Sequence, residues 1–398
     1  MGSRRCVHEK TTWFHLDAAA SRLGRQPNVS QLRSVRVCAV LAHRFQTPRL
    51  PRDRQGTSAI GGISPASVSK SRCSEFMHSL TMGIPLPTVI DAVRGLLMKA
   101  VQFNEYGGTD VLKIVDIDPP YAGPGEVRIK VQAVGVNPID WKIRAGYVHD
   151  FMPVSFPAGV GSEAAGIIDE VGEGVSGFAV GDVVFGYGRN TLAEQAVLRS
   201  WAFVPRNMPI EVAGGLPVIV ETATRILDHV NIKAGETLLI TGAAGGVGSA
   251  AIQMALHRGA IVIGTASALK HEYIRSLGAV PTTYEPGLAA RVQALAPNGV
   301  NAALDLAGAG TVPELVAIVG DASRVVSISD VTAPQHGVVF SAKSLDHPER
   351  AFEEAARLYE MGALDLRIEQ TFSIGQIATA QAISAAGRVT GKLVITMA

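Results

Sequence analysis

A cluster of glycines between an apolar stretch and a small-residue stretch constrains the fold of this chain more than any other feature. Residues 238–255 read LLITGAAGGVGSAAIQMA. The apolar residues predict a buried strand, the glycines a tight turn, and the small residues a helix that begins at once. This order of strand, glycines and helix is more specific than a glycine pattern alone, and it predicts a phosphate-binding turn.

The turn has the pattern Ala243-x-Gly245-x-x-Gly248. Gly245 has no Cβ, so a pyrophosphate can approach the backbone, and Gly248 lets the helix pack close to the strand. The free N–H groups and the positive dipole end of the helix attract an anion. The alternative is an ordinary tight turn of an α/β protein. We favour dinucleotide binding, with these candidate residues: Ala243, Gly245, Gly246, Val247 and Gly248.

Strand and helix patterns alternate around this turn. The strand segments are near-continuous apolar runs, as expected for parallel strands covered on both faces. The predicted strands are 237–241, 261–265, 280–284, 302–306 and 324–329. The predicted helices are 222–230, one from about 247, one ending at 277, and two near 288–296 and 312–319. This alternation predicts a doubly wound α/β domain with right-handed crossovers.

A β-rich region precedes the α/β region. The segments MKAVQF, EVRIKVQAVGV, AGIIDEVG and DVVFGY alternate apolar and polar residues, and Gly and Pro clusters separate them. This pattern predicts a barrel-like antiparallel domain beginning at Met98. After a predicted helix over 348–361, strands are predicted at 368–374 and 392–396, and we expect the last one to pair with the barrel domain.

Charge separates the first 97 residues from the rest. They carry 14 Lys and Arg against 5 Asp and Glu, whereas residues 98–398 carry 22 against 30. We interpret residues 1–97 as a basic, disordered extension, with an organellar transit peptide or a nucleic-acid-binding arm as alternatives. Residues 86–97 could form one short amphipathic helix. The acidic part has no electrostatic footprint for nucleic acid, so we expect no nucleic-acid partner. We also expect no membrane span and a cytoplasmic location, or an organellar one if the extension is a transit peptide.

Cysteine is confined to the first 97 residues, at Cys6, Cys38 and Cys73. Residues 98–398 therefore have no thiol for a disulfide, a Cys-ligated zinc or a cysteine nucleophile. The ten histidines show no ligand spacing. We expect no metal site.

The end of the second α/β strand bears on the choice of dinucleotide. This strand ends Gly264-Thr265-Ala266-Ser267, and no acidic residue lies between Gly259 and His271. A carboxylate there would bind a ribose hydroxyl and repel a 2′-phosphate. Ser267 and Lys270 instead offer a hydroxyl and a cation for a phosphate. We therefore favour NADP(H), with two surface residues at a helix start as the alternative.

Residues 98–398 resemble the zinc-independent medium-chain dehydrogenases/reductases, in the quinone oxidoreductase (zeta-crystallin-like) branch. The resemblance implies a GroES-like catalytic domain of residues 98–218 and 346–398 around a Rossmann domain of residues 219–345. It also implies a cleft for nicotinamide and substrate between the two, and a homodimer. The segments that carry it are MKAVQFNEYGG, AVGVNPIDWKIRAG, GSEAAGIIDEVGEGVSGFAVGDVV, LPVIVETA, TGAAGGVGSAAIQMA and GKLV.

The resemblance also implies roles for side chains near the substrate. Asn137 would face nicotinamide and substrate, with capping of the turn before Pro138 as the alternative. Tyr147 lies close to an aromatic position of the branch. Tyr187 is placed near the barrel mouth, with an ordinary core residue as the alternative. Lys142 stands where the branch often has Tyr, which argues against aromatic stacking of the substrate there.

Further positions concern the cofactor. Thr222 corresponds to a Thr that contacts the nicotinamide end, whereas Glu221 before it replaces a small or apolar residue and has no explanation in the sequence. Tyr284 corresponds to a Tyr near the adenosine phosphate. Lys392 belongs to the closing Gly-Lys pair and is interpreted either as a cofactor ligand or as a structural residue.

The zinc-dependent relatives have Cys where this chain has Asn137, and Gly-His-Glu where it has Gly161-Ser162-Glu163. Zinc as a Lewis acid is therefore not expected, and Glu163 is interpreted as structural. We expect NADPH-dependent reduction of quinones or α,β-unsaturated carbonyls. The alternatives are an enoyl reductase for thioester or polyketide-type substrates, a non-catalytic NADPH-binding sensor, and RNA binding through the first 97 residues.

Overall fold

The computed structural model of the chain describes residues 97–397. The predictions for the basic extension, including the helix over 86–97, lie outside these residues except at residue 97, which is not helical. Within them, the β-rich and α/β regions that the sequence predicts are both found.

The strands of the β-rich region are β1 (Met98–Phe103), β2 (Lys113–Ile117), β3 (Val127–Val136), β4 (Ala158–Gly159), β5 (Glu163–Val171), β6 (Val183–Gly188), β7 (Gln195–Phe203), β14 (Ile368–Ser373) and β15 (Lys392–Thr396). A barrel forms because strands of this region pair in a closed circuit. β7 is hydrogen-bonded to β6 on one side and to β3 on the other, and β5 lies between β3 and β6. The returning strand β15 pairs antiparallel with β3, as predicted. A separate three-stranded sheet has the order β2-β1-β4.

The α/β region contains one parallel sheet, built from β8 (Thr237–Thr241), β9 (Ile261–Thr265), β10 (Val280–Thr282), β11 (Ala302–Asp305), β12 (Val325–Ser327) and β13 (Val339–Phe340). The strand order is β10-β9-β8-β11-β12-β13. The chain order reverses between β8 and β11, which is the switch point where open α/β sheets bind ligands at the carboxyl ends of their strands.

Helices cover the sheet and link it to the barrel. They are α1 (Pro138–Arg144), α2 (Ile210–Gly215), α3 (Pro217–His229), α4 (Gly246–His257), α5 (His271–Ser276), α6 (Leu288–Leu295), α7 (Val312–Val319), α8 (Glu349–Glu360) and α9 (Ile377–Ala385). Helix α3 begins at Pro217, five residues before the predicted start, because a proline at the first helical position needs no N–H partner and has a suitable φ.

One apolar cluster contains buried residues from both the barrel and the α/β region. Every residue of β8 is buried, and its Leu238 and Ile240 belong to the same cluster as Phe185 of the barrel and Phe352 of α8. This shared core holds the carboxyl end of β8 beside the barrel, so the glycine turn that follows β8 lies next to barrel residues.

Candidate active site

The glycine turn follows β8 and opens α4, as the sequence predicts. A Cβ on Gly248 would lie 2.6 Å from the carbonyl oxygens of Ala243 and Gly242, so only glycine allows α4 to approach the strand this closely. A Cβ on Gly245 would meet only the Gly242 oxygen, at 3.4 Å. The space beside Gly245 is therefore open, which fits an approaching pyrophosphate.

The first turn of α4 presents unused donors beside this space. The first helical bond runs from the Ser249 N–H to the Gly245 oxygen at 2.8 Å. The N–H groups of residues 246–248 precede it and have no partner inside the helix. Both features fit a dinucleotide phosphate bound at the helix N-terminus.

The last strand of the barrel meets the glycine turn directly. Gly391 donates its N–H to the Ala244 oxygen at 2.9 Å and forms a bridge with Gly245. Its φ of +74° and its contact with the Arg367 carbonyl both require glycine. Lys392, the next residue, has its side chain 3.7 Å from the position of a Cβ on Gly246.

A buried charge cluster lies under this junction. The Lys392 ammonium donates to the Asn137 amide oxygen at 2.5 Å and pairs with Glu163 at 2.8 Å. The Asn137 amide N–H donates to the same Glu163 oxygen at 2.6 Å. The second Glu163 oxygen accepts the Val218 N–H at the start of α3, at 2.7 Å. All three side chains are almost fully buried, so each charge or dipole is satisfied by the others.

Asp140 completes the cluster in helix α1. Its carboxyl accepts the Asn137 backbone N–H at 2.7 Å. Burial raises the pKa of Asp140 to about 7 and the Glu163 charge adds to the rise, while the hydrogen bond from Asn137 and the Lys392 charge oppose it. Asn137 is the residue just before α1, the position for which the sequence left a turn-capping role as the alternative. Its side chain also contacts Glu163 and Lys392.

Tyr187 lies beside the cluster on β6, opposite Glu163 in the strand register. Its hydroxyl donates to the Glu221 carboxylate at 3.3 Å, and its ring packs edge-on against Phe352. Burial raises the pKa of Tyr187 well above its usual value, and the charges of Glu221 and Glu163 raise it further. Thr222, also buried, donates to the same Glu221 oxygen at 3.4 Å.

Tyr147 differs from these residues because it is exposed. Its ring packs edge-on against Trp141 of α1, and its N–H bonds the Lys142 oxygen at 2.9 Å. Tyr147 thus lies just past the carboxyl end of α1, whereas Asn137 precedes its amino end, and no described residue is hydrogen-bonded to the Tyr147 hydroxyl.

The residues predicted for the adenosine end lie after β9 and β10. Lys270 directs its ammonium to the carbonyl oxygens of Arg388 and Val389, at 2.8 and 3.1 Å. Burial lowers the pKa of Lys270, the Glu369 charge raises it, and the Arg367 charge lowers it. Ser267 is half-buried before a short 3-10 turn, and Tyr284 is exposed.

Apart from the residues of the glycine turn and the exposed Tyr147, the predicted site residues fall into two groups. The structure brings Asn137, Tyr187, Thr222 and Lys392 together beside the glycine turn. Ser267, Lys270 and Tyr284 form the second group and follow the carboxyl ends of the neighbouring strands β9 and β10. Glu163 and Glu221 connect the first group, and only their burial, which the sequence does not display, reveals this role.

Residues 97–397 also bear on metal binding and on membrane insertion. No group of three or more His, Cys, Asp or Glu side chains there is arranged to hold a metal ion. None of the helices in this part of the chain combines the length and apolarity that crossing a membrane requires.

Known families match both regions of the chain. Residues 123–215 match the alcohol dehydrogenase GroES-like domain, and residues 246–361 match the zinc-binding dehydrogenase model. A quinone oxidoreductase of Pseudomonas aeruginosa is 31% identical over 328 residues, which cover 75% of this chain and 99% of the relative. The chloroplast envelope quinone oxidoreductase homolog of Arabidopsis thaliana is 37% identical over 198 residues, which cover 46% of this chain. The chain spans about 60% of the length of the chloroplast relatives that it matches.

Solved structures agree with the sequence matches. Mycobacterial Rv1454c complexed with NADPH superposes with a TM-score of 0.67 at 30% identity, covering 75% of this chain and 99% of its own. The CurK enoyl reductase superposes with a TM-score of 0.69 at 26% identity, covering 76% and 99%. The predicted fold, a GroES-like barrel with a Rossmann domain, is confirmed. The chain belongs to the zinc-independent medium-chain dehydrogenases/reductases, in their quinone oxidoreductase branch.

Proposed function

We propose that this protein is an NADPH-dependent oxidoreductase that reduces quinones or α,β-unsaturated carbonyls without zinc. The observation that carries the proposal is the junction of the glycine turn with Gly391 and Lys392, which sets an open phosphate-binding turn beside the buried Asn137 cluster. NADPH supplies the hydride when bound, so the protein contributes binding, orientation and electrostatics.

The dinucleotide would be held along the carboxyl edge of the sheet. Residues 243–248 would bind the pyrophosphate through open N–H groups, and Thr222 would contact the nicotinamide end. Ser267, Lys270 and Tyr284 would bind the 2′-phosphate of NADP(H), since two neutral hydroxyls and an ammonium favour a phosphate over a bare ribose. To bind the 2′-phosphate, the Lys270 ammonium would leave the carbonyl oxygens of Arg388 and Val389 and donate to phosphate oxygens instead. Lys392 would act on the cofactor indirectly, because its ammonium is engaged by Asn137 and Glu163.

The substrate oxygen would be held by neutral donors. Asn137 uses one amide N–H for Glu163, which leaves its second N–H for a carbonyl oxygen. The exposed hydroxyl of Tyr147 is a second donor and a source of the proton that completes the reduction, with water as the alternative. Donors placed where negative charge develops stabilise the transition state, and each is worth about 3 kcal/mol. Tyr187 would line the same site.

The absence of zinc from the proposed mechanism follows from the residues present. Asn137 and Ser162 stand where zinc-dependent relatives have Cys and His, and the Glu163 carboxylate is already neutralised by the Lys392 ammonium. A second cation beside this ammonium would meet direct repulsion.

An enoyl reductase acting on thioester or polyketide-type substrates is the second candidate, favoured by the similarity to the CurK enoyl reductase. A non-catalytic NADPH-binding sensor is the third.

We further propose a GroES-like catalytic domain of residues 98–218 and 346–398 and a Rossmann domain of residues 219–345. We also propose a homodimer and a cytoplasmic location, or an organellar one if the first 97 residues are a transit peptide. RNA binding by those residues is the weakest alternative.

One assay separates these functions. The full chain is mixed with NADPH and then with quinones, enones or enoyl thioesters, while NADPH absorbance is followed. The proposal expects rapid oxidation with quinones or enones. Faster turnover of thioesters would favour the enoyl reductase, and tight NADPH binding with no turnover would favour the sensor. NADH turned over faster than NADPH would refute the roles given to Ser267 and Lys270.

A further inference from the structure

Glu221 is a buried carboxylate that has no role in the proposed reaction. It lies in α3, is 1% exposed, and pairs with Arg225 one turn later at 2.9 Å. It also accepts the Leu345 N–H at 2.8 Å, while Arg225 donates to the Ser341 carbonyl at 2.8 Å. The ion pair thus joins α3 to the segment 341–345, which follows the last strand of the parallel sheet.

The same carboxylate accepts hydrogen bonds from two hydroxyl groups. Tyr187 and Thr222 both donate to Glu221 Oε2, at 3.3 and 3.4 Å. The raised pKa of Tyr187 keeps its hydroxyl protonated at neutral pH, so it acts as the donor in this contact. A hydroxyl that donates its proton to the carboxylate can only accept hydrogen bonds from other groups. The Thr222 oxygen already accepts one, from the Arg225 guanidinium at 3.5 Å, and one lone pair is left for a ligand.

Thr222 lies on the face of α3 that meets the glycine turn. Ile219 of that face approaches to 3.0 Å from the position of a Cβ on Gly246. Thr222 is three residues further along the helix, and residues three apart share one face. Thr222 therefore lies on the face of α3 that packs on the glycine turn, about one helical turn after Val218, the residue that donates to Glu163.

We propose that Glu221 is a positioning residue that turns the Thr222 hydroxyl into a hydrogen-bond acceptor for the carboxamide N–H of the nicotinamide. The inference rests on the proposed function, because it requires a bound nicotinamide. Glu221 fixes which of the two ends of the carboxamide faces Thr222, since only the NH₂ end can donate to an acceptor. Arg225 and the Leu345 N–H hold the carboxylate in place. Tyr187, held by the same oxygen, is likewise an acceptor toward ligand rather than a proton donor.

A dinucleotide analogue tests this polarity. In the 3-acetylpyridine analogue of NADP⁺, a methyl group replaces the carboxamide NH₂, so the donor is lost while the carbonyl is kept. The affinity of the full chain for NADP⁺ and for the analogue is measured by calorimetry. We expect wild type to bind NADP⁺ about fivefold more tightly than the analogue, the usual effect of one neutral hydrogen bond. E221Q and T222V are expected to bring this ratio to about one. The amide N–H of the glutamine can donate to the Thr222 oxygen, so the Thr222 O–H is no longer held by position 221, and T222V has no hydroxyl.

Control variants separate positioning from a general structural role. T222S keeps the hydroxyl and should keep the ratio. E236Q removes the charge from the partly buried Glu236–Arg324 ion pair, whose atoms lie 2.6 Å apart at the amino end of β8. This variant should also keep the wild-type ratio of affinities. If E221Q is unstable because it leaves Arg225 unpaired, E221Q/R225Q removes both partners and applies the same test.

Two outcomes overturn the inference. A ratio that E221Q and E221Q/R225Q leave unchanged, even if both affinities fall together, assigns Glu221 a structural role only. A wild-type ratio of about one removes the Thr222 contact itself. In either case NADP⁺ binding by wild type leaves the proposed function standing, whereas a wild type that binds neither dinucleotide refutes the proposed function as well.

Discussion

Alanine at the two glycines of the turn should separate folding from cofactor binding. At Gly245, φ is −78° and a Cβ would meet only one atom, at 3.4 Å. We expect G245A to fold, with a loss in the free energy of unfolding below about 1 kcal/mol. The added methyl fills the open space beside the free N–H groups of α4. Overpacking of 1–3 kcal/mol in the complex would weaken NADPH binding by about 5- to 150-fold.

Gly248 should behave differently because its Cβ would strike backbone. The 2.6 Å contacts with two carbonyl oxygens require α4 to move by about 0.8 Å before ordinary contact at 3.4 Å is restored. We expect G248A to lose about 1–3 kcal/mol of unfolding free energy as well as NADPH affinity. Urea unfolding and fluorescence titration with NADPH measure the two effects. G245A that binds NADPH as tightly as wild type, or G248A of unchanged stability, would refute this reasoning.

Three other changes probe the charges around the site. K392M leaves Glu163 buried without its cation and should cost about 3–5 kcal/mol in urea unfolding, with K392M/E163Q recovering part of the loss. If K392M has unchanged stability, the ion pair contributes nothing. Asp140 has a pKa of about 7 in the folded protein, against an ordinary value of 3.8. Folding therefore takes up a proton at pH values between the two, and stability falls as pH rises from about 4 to about 7. D140N should remove this fall, measured as unfolding free energy at about pH 5 and about pH 7; a parallel pH dependence in D140N and wild type would contradict the assignment. K270M should lower kcat/KM for NADPH about tenfold and leave the value for NADH unchanged. Equal losses with both cofactors would show that Lys270 only supports the fold through Arg388 and Val389.

The local patterns in the sequence predicted the elements well because each depends on near neighbours. The strand before the glycine turn, the helix after it and the strands at 261–265 and 392–396 all have the predicted bounds within one residue. The need for glycine at Gly248 follows from carbonyl oxygens only five and six residues away. Patterns of this kind are set by periodicity and turn chemistry, which a single sequence displays.

The contacts that build the site lie far apart in the sequence. Lys392 meets Asn137 across 255 positions, and Lys270 reaches the Arg388 carbonyl across 118. No local pattern encodes which buried charges meet, so the sequence left Lys392 open between two roles. Glu221 is the clearest case, since its hydroxyl partners come from a barrel strand and from its own helix.

The central claim is that NADPH held at the glycine turn reduces an electrophilic substrate in the adjacent cleft. The most direct measurement is the stoichiometry of NADPH consumption with a simple quinone, in wild type and in G245A. The account predicts one NADPH oxidised per quinone reduced in wild type, and strongly reduced turnover by folded G245A. A wild type that leaves NADPH unchanged, or a G245A that turns over at the wild-type rate under subsaturating NADPH, would contradict it.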